Sequence, residues 1–419
     1  MFSQPKSYFI KKVFLPTQAR LGIYLAKRLS NLQPYPDFLE NFLPQNEISR
    51  QQKTSPSLQI KNIRFMPELM KIRENHDCRH EVLSKSKTIL FFCPKNYGVR
   101  SSFTINQLIS SAKRVNYKIQ QVDIEIQRKI KPNLSLREIF LEALNETNPE
   151  IVIFNSSDSY VLSEYREFTP SLISEIRDKK KFKLINICGD LWRPEDKVVI
   201  ESWSEQCDLF LHIDNFSIRS YSEEIQKKAL FYPFLGLMPS RLKENQSSRR
   251  GIFYSGQVRD SDRRQILNKV LKHFSNLTKF ELCIKAHYKF SEESAYSEEE
   301  YWELLHDVEI CISFAQKGLD HFLIPGRSLE AIAAGCVLMH QETTSFRPMS
   351  EVLVPNLHYL PFEDFSDLRN AIKLVRNEPE KYRIMGDKAS QFFRNRYTDW
   401  NLWYEIDRQI SAISDLNEV

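Results

Sequence analysis

The sequence predicts an α/β protein of two consecutive doubly wound, Rossmann-like domains facing a cleft, preceded by a basic, mostly helical extension. Three observations lead there. Short apolar runs alternate with helical segments, the alternation is interrupted once by a polar aperiodic stretch and then restarts, and the positive charge is gathered at one end. At 419 residues the chain exceeds one ordinary core.

The extension spans residues 1–87, with fifteen Lys and Arg against seven Asp and Glu, so this stretch carries +8 of the net +5 and the remainder carries −3. Within it, "TQARLGIYLAKRLSNL" sets Leu21, Leu25, Leu29 and Leu32 on one helical face, with Arg20, Lys27 and Arg28 beside or opposite. A helix packed on a domain with a solvated basic side is the favoured reading, and docking on an anionic membrane surface is the alternative. No apolar run approaches the length of a membrane helix. The opening "MFSQPKSYFIKKVFLP" has no signal-peptide pattern, and seven scattered cysteines without a C-x-x-C pair suit a reducing compartment. A cytoplasmic protein is expected, with peripheral association at the membrane's inner face as a second option.

Residues 88–237 form the expected N-terminal domain. Its strands are "TILFFC" (Thr88 to Cys93), "YKIQQVDI", "EIVIFN" (Glu150 to Asn155), "KLINICGD" (Lys183 to Asp190), "DLFLHI" (Asp208 to Ile213) and "ALFYPF" (Ala229 to Phe234), with a helix from Ser102 to Val115 after the first. Near-continuous apolar strands separated by helices signal a parallel sheet covered on both faces. Residues 238–250 are the expected linker. Residues 251–396 restart the pattern with "GIFYSG", a helix from about Arg263, "KFELCIK", a helix near Glu298 to Leu305, "VEICISF", the helix in "IPGRSLEAIAAGCVLM", then "HYLPF" and two helices, Asp364 to Arg376 and Pro379 to Arg396. The last segment, 397–419, carries Tyr397, Trp400, Trp403 and Tyr404 and is expected to cross back toward the N-terminal domain.

Ligands of such sheets bind beyond the carboxyl ends of the strands, where helix N-termini point. Five of only ten glycines fall between residues 251 and 335; Gly256, Gly318 and Gly326 follow strands or precede a helix on that side. Arg259 and Arg263 follow the "SG" turn and Lys285 ends a strand, types that grip diphosphate. "DSD" at Asp260 to Asp262 is read as helix capping rather than a metal-binding D-x-D. There is no P-loop, dinucleotide fingerprint, zinc-hydrolase or serine-elbow motif. His212, His287 and His340 sit at strand ends, with a hydrogen-bonded structural role favoured for each.

The stretch "GRSLEAIAAGCVLMHQ", continued through "FRPMSEVLVPNLHYLPFEDFSDLRNAIKLVRNEPEKYRIMGDKASQFFRNRYT", resembles the C-terminal domain of GT-B fold glycosyltransferases, above all the spore-maturation CgeB-like group. The resemblance covers Ala315 to Thr398 and reaches back toward Gly251; residues 1–87 lie outside it. It implies a nucleoside-diphosphate sugar as donor, a glycan, lipid or other acceptor, no metal or other cofactor, and no nucleic-acid partner. Glu330 corresponds to the glutamate that contacts the donor's ribose or sugar, and Arg327, with the helix N-terminus at Gly326 and Ser328, would face the diphosphate. Gly256, Arg259, Arg263 and Lys285 complete the substrate-binding set. Related retaining enzymes carry a second glutamate eight positions earlier; here that position is Phe322, so the stereochemical outcome stays open. Asp190 is the candidate base for the acceptor, with Asp158 also following a strand. A sugar-nucleotide epimerase and a non-catalytic binding scaffold remain alternatives.

Overall fold

A computed structural model describes residues 86–93, 98–156, 168–188, 191, 194–214, 217–233, 249–256, 261–274, 282–286, 298–314, 324–343 and 347–417. The expected helix around Leu21 to Leu32 and nearly all of the expected linker lie outside the described residues.

The apolar runs after Thr88 become β1 (Thr88–Phe92), β2 (Lys118–Val122), β3 (Ile151–Asn155), β4 (Lys183–Cys188), β5 (Leu209–His212) and β6 (Ala229–Phe231). They pair in parallel in the order β2-β1-β3-β4-β5-β6. Between them run α1 (Gly98–Arg114), α2 (Ile124–Ile130), α3 (Leu136–Thr147), α4 (Pro170–Arg177), α5 (Pro194–Ser202) and α6 (Glu223–Lys227). Strand β1 explains the layering. Its Leu90 and Phe92 pack with Phe140, Phe154 and Trp203 on one face, while Ile89 and Phe91 pack with Leu108 and Trp403 on the other. A period of two therefore feeds two apolar cores, and both faces must be covered.

The second sheet contains β7 (Ile252–Gly256), β8 (Leu282–Ala286), β9 (Ile310–Phe314), β10 (Val337–Gln341) and β11 (Leu360–Phe362), again parallel, in the order β11-β10-β9-β7-β8. Its helices are α7 (Ser261–Phe274), α8 (Glu298–Asp307), α9 (Gly326–Ala333), α10 (Phe365–Asn377), α11 (Pro379–Arg396) and α12 (Asp399–Asn417). In β7, Ile252 and Tyr254 join Leu267, Val270 and Ile372, whereas Phe253 faces Trp302, Leu329 and Ile332. The expected class, α/β with two doubly wound parallel sheets, is the one observed.

Two strands are shorter than their apolar runs suggest. β6 and β11 each have three residues. Both lie at sheet edges with one neighbour, and Pro233 beyond β6 has no N–H to extend a ladder. Helix α1 starts at Gly98, four residues ahead of the expected Ser102.

Helix α12, which follows the second sheet in the chain, packs on the first. Asp399 takes two hydrogen bonds from Arg114 of α1, at 2.5 and 2.9 Å. Trp403 is fully buried, donates from Nε1 to Ser111 Oγ at 3.0 Å and meets the Tyr117 ring edge-on. Asp407 lies 2.6 Å from Lys87 Nζ and accepts from the Tyr117 hydroxyl, while Tyr232 donates to the Thr398 carbonyl. Burying the bulky aromatic side and pairing the two acids fixes this helix by apolar area and by charge at once.

Trp403→Ala should cost about 3–5 kcal/mol of unfolding free energy. Asp399→Ala, which leaves the core filled, should cost about 1–3 kcal/mol. Urea denaturation of the two variants measures both; equal effects would mean that packing does not dominate this contact.

Candidate functional site

The chemistry gathers at the carboxyl ends of β7, β9 and β10. Strand β7 ends in Gly256 with φ +144°, a conformation costly for any side chain. The space a side chain would need is taken as well: a Cβ at Gly256 would stand 1.8 Å from Arg327 Nη1. The Arg327 guanidinium is buried, donates to the Ser255 carbonyl at 2.6 Å and lies 5.7 Å from the Tyr254 ring centre. The positive φ is what calls for glycine, and the Arg327 guanidinium fills the space beside it.

Arg327 sits on α9, whose limits follow from its ends. Pro325 occupies the N-cap position, and no side chain there caps the first turn. Leu329, Ile332 and Ala333 are buried against the sheet, as the spacing requires. At the other end Gly335, with φ +83°, lets Gly335 N–H and Cys336 N–H return to the carbonyls of Ile332 and Ala331, and β10 begins two residues later. Arg327, expected to face a donor diphosphate, is only 8% exposed and spends one N–H on the Ser255 carbonyl.

Glu330, one turn on, is half-buried, and its Oε2 accepts from the Tyr301 hydroxyl of α8 at 2.8 Å. That hydroxyl is also hydrogen-bonded to the Ser255 side chain. Burial first, and the Glu330 charge second, push the Tyr301 phenol well above its ordinary value. Tyr301 therefore stays a proton donor to the carboxylate. Ser328 donates its hydroxyl to Ser313 Oγ of β9 at 2.7 Å, both fully buried, which ties the first turn of α9 to the sheet.

Arg263 on α7 is also buried, with its guanidinium 5.3 Å from the Phe314 ring centre. Phe314 meets Tyr254 edge-on, and Tyr254 faces Arg327. Two guanidinium groups thus flank an aromatic pair at the ends of β7 and β9, an arrangement in which ring faces offset part of the burial of charge. Gly326 opens α9, and Lys285 lies in β8 opposite Ser255. Arg259, Asp260, Asp158, Asp190 and His287 lie outside the described residues; Asp262 stands in the first turn of α7.

Two further buried groups, His340 and Glu342, border these strands, and His212 ends β5 of the first sheet. Burial lowers the His212 pKa to about 3 and the His340 pKa to about 4, with Arg327 adding to the latter, so both rings are neutral. Glu342, immediately after β10, accepts from the Tyr359 hydroxyl at 2.8 Å and from Met349 N–H at 2.9 Å. Burial raises its carboxyl to about 7, against the downward pull of those two bonds and of Arg347. Tyr301, Ser255 and Glu342 were not singled out in the sequence; "EEEYWELL" and "FYSG" carry no motif, and only their neighbours in space give them meaning. A cavity of about 300 Å³ lies elsewhere, beside the start of β1 and β4 and α12, lined by Lys87, Glu150, Lys183 and Asp407. Its Lys87 and Asp407 pair with each other, and it is remote from the strand ends that carry the site.

Residues 263–402 match the family described as glycosyl transferase-like. That segment begins at Arg263 and contains all of α9. No curated protein matches the chain. Among solved structures, a glycosyltransferase from Rickettsia africae ESF-5 is 12% identical with a TM-score of 0.47, over 78% of this chain and 99% of that one. A UDP-GlcNAc 2-epimerase from Neisseria meningitidis bound to UDP-GlcNAc gives the same identity and TM-score, over 78% and 100%. An alpha-glucosyltransferase in complex with UDP and a 13-mer DNA is 12% identical with a TM-score of 0.49, over 78% and 100%.

Gly256→Ala should destabilise the protein by about 2–3 kcal/mol, and pairing it with Arg327→Ala should recover about 1 kcal/mol or more, read from a double-mutant denaturation cycle. Strict additivity would mean that the two side chains do not meet. For Glu342 the folded pKa of about 7 stands above the ordinary 4.5, so its stabilising contribution is complete below about pH 4.5 and is lost as pH rises through 7. Glu342→Gln should flatten the stability profile across that window by on the order of 3 kcal/mol. Parallel profiles for wild type and variant would contradict this.

Proposed function

We propose that this chain is a nucleotide-sugar-dependent glycosyltransferase of the GT-B type, moving a sugar from a nucleoside diphosphate to a glycan, lipid or other acceptor without a metal ion. One observation carries the reading. Within the glycosyl transferase-like segment, a helix start with no side-chain cap, its Arg327 bonded to the strand just before Gly256, and a half-buried Glu330 one turn further on come together at the end of β7.

Cleaving a sugar from a nucleoside diphosphate places growing negative charge on the diphosphate. The N-terminal N–H groups of α9 and the cations around β7 and β8 supply the compensating field. Arg327 acts from below the turn, holding its shape and adding positive potential, while Gly326 and Ser328 bring the helix start to the diphosphate. Arg259, Arg263 and Lys285 supply further positive charge, and Glu330 takes the hydroxyls of the ribose or sugar. Asp190, following β4, takes the acceptor's proton. The kinship with the CgeB-like group belongs to the same proposal, as does a cytoplasmic enzyme whose basic extension, 1–87, meets a membrane surface or an anionic acceptor.

A thermal-shift and calorimetric screen of UDP-, GDP-, ADP-, CMP- and dTDP-linked sugars tests the reading. A donor should bind equally with and without EDTA, and Glu330→Ala should weaken it about tenfold or more, the range of one or two lost hydrogen bonds. Binding that needs Mn²⁺ and depends on Asp260 and Asp262 would overturn the mechanism, and turnover of the sugar nucleotide with no acceptor would indicate epimerisation.

A further inference from the structure

Ser255 is held from two helices, α9 and α8. Its carbonyl accepts from Arg327 at 2.6 Å, and its hydroxyl bonds the Tyr301 phenol, which in turn donates to Glu330 at 2.8 Å. Arg327 and Glu330 are three apart on α9, so the path from arginine to serine to tyrosine to glutamate closes on one helical turn. It joins the last residue before Gly256 to the first turn of α9, using a phenol contributed by a third element, α8.

We infer that Tyr301 is a positioning residue for binding of the nucleoside-diphosphate sugar, setting the Glu330 carboxylate relative to the β7 turn before the donor arrives. The inference rests on the donor reading above and adds to it a residue outside the motif on α9. Tyr301 does not touch the donor. It acts through Glu330, by holding one carboxylate oxygen, and through Ser255, by fixing the residue whose carbonyl anchors Arg327. A rigid phenol on a helix suits this task, because it has few rotamers to lose and its hydroxyl can accept from Ser255 while donating to Glu330. Removing that hydroxyl removes the hydrogen bond that holds Oε2 of the carboxylate. The loss then falls on binding, since an interaction equally present in ground state and transition state alters KM and not kcat.

The test uses the full chain, with UDP-glucose, GDP-mannose and dTDP-glucose as probes and calorimetry, thermal shift and steady-state kinetics as readouts. Tyr301→Phe should raise the donor Kd and KM about tenfold while kcat stays within about threefold. Ser255→Ala should behave alike, Ser255→Thr should stay near wild type, and Tyr301→Phe with Ser255→Ala should be no worse than either alone, because both break one path. Donor binding by Tyr301→Phe within twofold of wild type overturns this inference alone. Additive losses, or kcat and melting temperature falling together without a rise in KM, overturn it as well by making Tyr301 a packing residue. A wild type that binds none of the probes overturns both this inference and the donor reading.

Discussion

The contact on which the second half of the molecule depends is that between the Arg327 guanidinium and the end of β7. A buried cation needs an acceptor within reach, and the Ser255 carbonyl supplies it at 2.6 Å. The guanidinium then fills the space where a side chain at 256 would stand, and the φ of +144° there favours glycine. That one contact ties the start of α9, and with it the helix that carries Glu330, to the end of β7. The Ser328–Ser313 bond and the Tyr301–Glu330 bond are secondary ties on a helix already anchored.

Charge in this region is handled by aromatic faces and by neutrality. Arg263 and Arg327 flank Phe314 and Tyr254, and the adjacent histidine, His340, is kept neutral by burial. The result is a positive underside to the carboxyl ends of β7 and β9. An anion approaching the start of α9 meets that field together with the helix dipole. Glu342 stands just past β10, its carboxylate taken up by the Tyr359 hydroxyl and the Met349 N–H.

The two sheets are joined through α12. Its Trp403 and Ile406 enter the same apolar cluster as Ile89 and Phe91 of the first sheet and Phe253 and Leu329 of the second. One continuous core thus reaches from the first strand to the helix that carries Glu330. A direct ion pair, Arg219 to Glu351 at 3.3 Å, adds a lighter tie between residues near the two sheets. Being half exposed, it contributes little beside the buried helix.

The sequence by itself determined the elements. Apolar runs of strand length separated by helical segments specify parallel sheets, because a strand apolar on both sides can be stable only between two layers. The β6 and β11 ends were misjudged because composition cannot tell an edge from a centre. The position of α9 was legible too, since Pro325, the spacing of Leu329 and Ile332, and Gly335 are local signals. What only the tertiary structure decided was which way the polar side chains turn. Arg327 reads as a cation for a diphosphate, and its bond to the Ser255 carbonyl is visible only in the fold; Tyr301 reads as one aromatic in an acidic helix and reaches Glu330 twenty-nine residues away. Hydrogen-bond partners are fixed by which elements lie within about 3 Å of one another. That depends on how α8, α9 and β7 stack, a property no single segment encodes.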